Sequence, residues 1–141
     1  MKAPRELAIA EHLLTKSYPS LNDPKILVSV LTNTLAAIET AITQQLQTAR
    51  KNHEIPPYSD TFNGKLNAFR MHLAKKKGVG KVDLMMISEM QELLTDNQQA
   101  PTTFRRQDQF VIADNDFNLK TLTPEKAKTF LQRTKTLIKK L

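Results

Sequence analysis

The stretch from Pro24 to Asn52, PKILVSVLTNTLAAIETAITQQLQTARKN, decides the fold. After Pro24 neither proline nor glycine interrupts it, and Leu27, Leu31, Leu35, Ile38, Ile42, Leu46 and Ala49 recur at alternating steps of four and three. Such steps bring side chains to the same side of an α-helix, so the stretch predicts one helix on the order of 45 Å long with an apolar ridge along it. Asp23 can accept a first-turn amide hydrogen, and Pro24 supplies a fixed φ where no helical donor is needed, which sets the start. A ridge of that length has to be covered, and the rest of the chain reads as its cover.

Upstream, Pro4 to Ser17 predicts a short helix whose apolar side is Leu7, Ile9, Ala10, Leu13 and Leu14, ended by Tyr18-Pro19 because the residue before a proline is pushed out of the α region. Downstream, His53 to Tyr58 reads as a linker held extended by Pro56 and Pro57. Ser59 or Asp60 then caps a third helix carrying Phe62, Leu66, Phe69 and Leu73 and closing at Gly78. A fourth helix starts near Lys81, carries Val82, Leu84, Met85, Ile87, Met90, Leu93 and Leu94, and stops between Asp96 and Gln99. From Phe104 to Leu122 the period falls towards two, with Asp114-Asn115-Asp116 between two apolar runs, which predicts a small β-hairpin. Thr123-Pro124-Glu125 opens a last helix along Ala127, Phe130, Leu131, Thr134, Leu137, Ile138 and Leu141. The expectation is a mainly all-α bundle of about five helices in a single domain, 1–141, with a hairpin before the last helix.

The length of 141 residues suits one core, and the low glycine count of 3 favours helices over sheet. Cysteine is absent, which excludes disulfides, thiolate metal sites and cysteine nucleophiles. Apolar runs read as broken by polar residues short of a bilayer span, and Arg5, Glu6 and Glu11 do not belong in a secretory leader, so a soluble, cytoplasmic protein without a membrane partner is expected. Lys and Arg number 21 against 14 Asp and Glu, a net charge of +7 that draws polyanions by long-range attraction and equally serves solubility.

Few residue groupings suggest chemistry. Lys75-Lys76-Lys77-Gly78-Val79-Gly80-Lys81, between two helices, resembles the helix-hairpin-helix motif, which holds a phosphate on backbone amides. It departs from that motif at Lys76 and at Val82-Asp83-Leu84, and the favoured reading is a glycine C-cap beside a solvated lysine run. A nucleotide-binding loop is excluded, since glycine is missing at Lys75 and a hydroxyl at Val82. His12, His53 and His72 fall on different elements without metal-ligand spacing, and no carboxylate pair or serine–histidine set stands out, so no metal, cofactor, small-molecule substrate or catalytic role is expected. The last helix carries Arg133, Lys135, Lys139 and Lys140, part of which complements its dipole and part of which could join Arg105 and Arg106 in a phosphate-holding surface.

Ala10-Glu11-His12, Tyr18-Pro19, Asp23-Pro24-Lys25, Ile55-Pro56-Pro57, Phe62 through Phe69, and Ala100-Pro101-Thr102 leading to Phe104-Arg105-Arg106 and Phe110-Val111-Ile112 together resemble a group of small uncharacterised archaeal proteins of reduced-genome lineages. The layout of that group is similar to HEPN helical bundles, and the resemblance implies dimerisation and an RNA connection. Arg5 and His12 have the arginine-to-histidine spacing of HEPN ribonucleases, although they fall in the first helix rather than late in the bundle. The sequence therefore predicts a non-catalytic binding protein, a homodimer through helix 24–52, with nucleic acid, RNA first, held by Lys75, Lys76, Lys77, Lys81, Arg105, Arg106, Arg133, Lys135, Lys139 and Lys140. The alternatives are a HEPN-like ribonuclease or toxin–antitoxin component acting through Arg5 and His12, and a structural protein-interaction subunit.

Overall fold

The structure, a computed structural model, describes the backbone of residues 4–99, 102–106, 109–113 and 119–141, and the side chains of 4–97, 111–112 and 119–141. Among the described residues, five helices and a small sheet follow one another. Helix α1 covers 5–21, α2 Lys25–Lys51, α3 Phe62–His72 and α4 Lys81–Gln99; strands β1 Thr102–Arg106, β2 Gln109–Ala113 and β3 Leu119–Leu122 precede α5, Pro124–Lys139. The mainly all-α bundle expected from the sequence is what forms.

Helix α2 is the axis. The Asp23 carboxylate accepts the Lys25 amide at 3.0 Å, and the carbonyls of Asp23 and Pro24 take the next two amides, so the first turn is satisfied as the sequence suggests. Of the ridge, Leu27, Leu31, Ile38, Ile42, Leu46 and Ala49 are buried and Leu35 is half-buried. A second buried stripe lies beside it: Val30, Thr34, Ala37 and Ala41. The helix is thus enclosed on a broad face by α1, α3, α4 and α5. Thr34 can be buried there because its hydroxyl donates to the Val30 carbonyl at 2.7 Å.

One sequence expectation about α2 needs correction. Its length of 27 residues and mean hydropathy of 1.6 in the most apolar window would suffice to cross a bilayer, so polar interruptions do not make the run too short for a span. The apolar residues are instead packed against the protein's own helices. The seam that suggested a homodimer through 24–52 is largely covered within one chain, with Ile26, Val28 and Leu35 left half-buried.

Helix α1 runs past the expected stop at Ser17. Its first part, Arg5–His12, is α-helical; Leu13–Ser17 form a π turn in which the Tyr18 amide donates to the Leu13 carbonyl; and Tyr18–Leu21 return to α geometry. Pro19 has no amide to give to Thr15, and the wider turn before it lets the helix pass the proline without ending. Asn22 ends it instead, at φ +49, its amide 2.7 Å from the Tyr18 carbonyl. Leu7 and Ala10 of the expected apolar side are buried, Leu13 and Leu14 half-buried, and Ile9 exposed.

Helix α3 is capped one or two residues later than expected: the Thr61 hydroxyl, not Ser59 or Asp60, accepts the Gly64 amide at 3.0 Å. Thr123 caps α5 in the same way, through the Lys126 amide at 3.1 Å.

The expected hairpin forms as β2 and β3, with Val111 opposite Thr121 and Ile112 opposite Lys120, and β1 extends it to a three-stranded antiparallel sheet ordered β1-β2-β3. The turn residues Asp114, Asn115 and Asp116 lie outside the described residues. Ile112 and Leu122 join the helical core. On the same face Lys120 reaches α4, its ammonium 2.6 Å from Glu92 and 2.5 Å from Asp96. Hydrogen bonds to Asp96 first and then Glu92 raise the Lys120 pKa above the ordinary lysine value.

Candidate nucleic-acid interface

The turn between α3 and α4 is built to expose lysines. Leu73, Ala74 and Val79 are buried and anchor both ends of the loop. Gly78 adopts φ +71, and the Val79 amide reaches back to the Ala74 carbonyl at 2.9 Å. That is a Schellman stop, in which a left-handed residue lets the next amide satisfy a carbonyl five residues earlier. With the apolar residues turned inward, Lys75, Lys76 and Lys81 stand in solvent and Lys77 is half-exposed. Of the two readings of this motif, the glycine C-cap is thus the one realised in the backbone.

The end of the last helix adds to this surface. Lys140 donates to the Gly78 carbonyl at 3.2 Å and pairs with Asp83 at 3.3 Å, while Arg133 stands 3.9 Å from the other Asp83 oxygen. Positions 133 and 140 are seven apart and so share a side of α5. Arg70, Lys81 and Arg133 line one groove of about 750 Å³ with Val82, Leu84, Met85 and Met86 at its floor and wall. The carboxylates at its far end, Glu89 and Glu92, are occupied by Lys126 at 3.1 Å and Lys120 at 2.6 Å.

Among the described residues, Lys75, Lys76, Lys77 and Lys81 form no ion pair with a carboxylate. Asp83, with its side chain 19% exposed, faces Arg133 and Lys140 together and is the acidic group seated among these cations. Opposite charges are therefore far from balanced at this end of the bundle, and a polyanion can supply what is missing.

Not all the residues expected at the site gather there. Lys135 lies on the opposite flank of α5, 2.6 Å from Glu11 of α1, and Lys139 lines a different groove, of about 410 Å³, with Pro4, Arg5, Leu7 and Ile138. Two residues along a helix is more than half a turn, so Arg133 and Lys135 cannot share a face. Arg105 and Arg106 belong to β1, and their side chains lie outside the described residues. Arg5 and His12 are both exposed on α1; the groove that takes in Arg5 is completed by Lys135 and Lys139 and does not include His12. Among the described residues no group of three or more His, Asp or Glu side chains is placed to hold a metal ion.

The sequence reading missed three parts of the surface. Arg70 was not among the residues expected at the site, and Val82 and Met85 were read with the apolar residues of the fourth helix although they are 67% and 60% exposed. The signal that separates them is position: the buried line of α4 is Met86, Ile87, Met90 and Leu93, beginning one turn after the helix does. Asp83 was missed as the point where α4 and α5 meet, for which its isolation among basic neighbours was the available sign. No protein-family model, curated protein or solved structure matches this chain.

Proposed function

We propose that the protein is a non-catalytic nucleic-acid-binding protein, RNA favoured, which holds the phosphate backbone on the surface formed by Lys75, Lys76, Lys77 and Lys81 with Arg133 and Lys140. The observation that carries this reading is that Arg133 and Lys140 of the last helix meet on Asp83 while Lys140 also holds the Gly78 carbonyl, which sets them beside the turn that carries Lys75, Lys76, Lys77 and Lys81. Lysines are suited to holding phosphates as point charges, and contacts of this kind position a strand without selecting its sequence.

Fluorescence anisotropy with a labelled RNA of mixed sequence tests the reading. Replacing Lys75, Lys76 and Lys77 together by alanine weakens binding by an order of magnitude or more at low salt, as expected for about three lost phosphate contacts. Replacing Lys16, Lys25 and Lys51, exposed lysines on α1 and α2, removes the same charge and weakens it far less. Equal losses in the two variants would reduce the effect to net charge and end the proposal. The same incubation reads out the ribonuclease alternative, because a HEPN-like activity cleaves the RNA and loses cleavage in His12→Ala.

A further inference from the structure

We infer that the surface takes single-stranded RNA in preference to duplex, with unpaired bases resting on Val82 and Met85; this rests on the nucleic-acid reading above. These two side chains are 67% and 60% exposed and lie one helical turn apart beside Lys81, with Arg70 and Arg133 in the same groove. Large apolar side chains left in water at the rim of a positively charged groove mark a ligand that brings both negative charge and apolar area. An RNA strand with splayed bases has both. An A-form duplex presents phosphates but keeps its base faces stacked inside, so it can satisfy the lysines and leave Val82 and Met85 wet. The guanidinium planes of Arg70 and Arg133 add flat cationic surfaces on which a base can stack, in a chain with no tryptophan.

The groove also has a direction. Its α3–α4 end carries Arg70 and Lys81, for which no ion pair is formed among the described residues, whereas the acids at the other end are held by Lys120 and Lys126. A strand therefore enters with its phosphates towards the Gly78 turn, and its bases meet the first turn of α4.

The experiment compares a labelled single-stranded RNA with the perfectly paired duplex of the same sequence, against wild type, Val82→Ser with Met85→Ser, and the Lys75, Lys76, Lys77 triple alanine variant. Both apolar positions are exposed, so the double variant retains the fold, which a thermal melt verifies. We expect wild type to favour the single strand, the double serine variant to lose about tenfold in single-strand affinity with duplex affinity unchanged, and the lysine variant to weaken both forms. Equal affinity for the two forms in wild type overturns the inference and leaves the phosphate-binding reading standing. Absence of binding to either form overturns both. If the serine variant keeps its single-strand preference but no longer sediments with phosphatidylserine vesicles, the exposed apolar pair serves a membrane surface and the inference falls.

Discussion

Lys140 and Asp83 meet at 3.3 Å across 57 positions of chain, and the same ammonium holds the Gly78 carbonyl at 3.2 Å. One side chain at the end of α5 thus ties down the turn that presents Lys75, Lys76 and Lys77. Asp83 is at once a tether for α5 and the negative charge that a phosphate held here would have to compete with.

Substituting Asp83→Asn separates those two roles. The pairs it makes with Lys140 and Arg133 are partly exposed and long, so stability falls by no more than about 1 kcal/mol. RNA affinity rises, because the patch loses its carboxylate. Paired chemical-denaturation and anisotropy titrations check both signs, and a drop in affinity would mean that Asp83 organises the cations more than it offsets them.

Gly78→Ala and Gly80→Ala form a matched pair. A Cβ at either position meets nothing within 4 Å, but only Gly78 has a positive φ, +71. Gly78→Ala is expected to cost about 1–2 kcal/mol from the left-handed backbone alone, and Gly80→Ala to leave stability nearly unchanged. Equilibrium unfolding of the two variants side by side makes the comparison.

The core offers a contrast of opposite sign. Leu46 on α2 is fully buried, and Leu46→Ala should destabilise by about 2–5 kcal/mol through lost burial and the cavity left behind. Thr134 on α5 is equally buried, yet its hydroxyl has no hydrogen-bond partner. Thr134→Val keeps the branched shape and removes the stranded hydroxyl, so it should stabilise by about 1 kcal/mol. Urea midpoints at constant slope report each change.

Lys120 gives the sheet a pH dependence. Its pKa is raised in the folded state by Asp96 and Glu92, so its contribution is complete below the ordinary lysine value and is lost as pH climbs through the raised one. The melting temperature of wild type should exceed that of Lys120→Met by a constant margin from neutral pH up to about pH 10, and the margin should close above that. A margin that closes on acidification alone would assign the stabilisation to some other group.

How far the sequence was legible differs between scaffold and surface. Leu27 to Ala49 predicted the axis because burial on one side of a helix writes a period into the chain, and Asp23, Thr123 and Pro124 marked helix starts because unpaired amides need specific partners. The stop at Tyr18-Pro19 misled because a proline excludes the α register, not a π turn that continues the helix. The surface was half legible. The run Lys75 to Lys81 announced itself, but whether Arg133 or Lys135 joins it depends on the rotation of α5 about its own axis, which packing against α2 decides. Val82 and Met85 carry core-like side chains in a turn that projects beyond the core, and composition cannot distinguish that from burial.

The salt dependence of RNA binding tests the central claim most directly. For a single strand held by about six cations, the logarithm of the association constant should fall against the logarithm of salt with a slope near −4, and the Lys75, Lys76, Lys77 triple alanine variant should bring it to about −2. A slope near zero, or one that the triple variant leaves unchanged, would contradict the account.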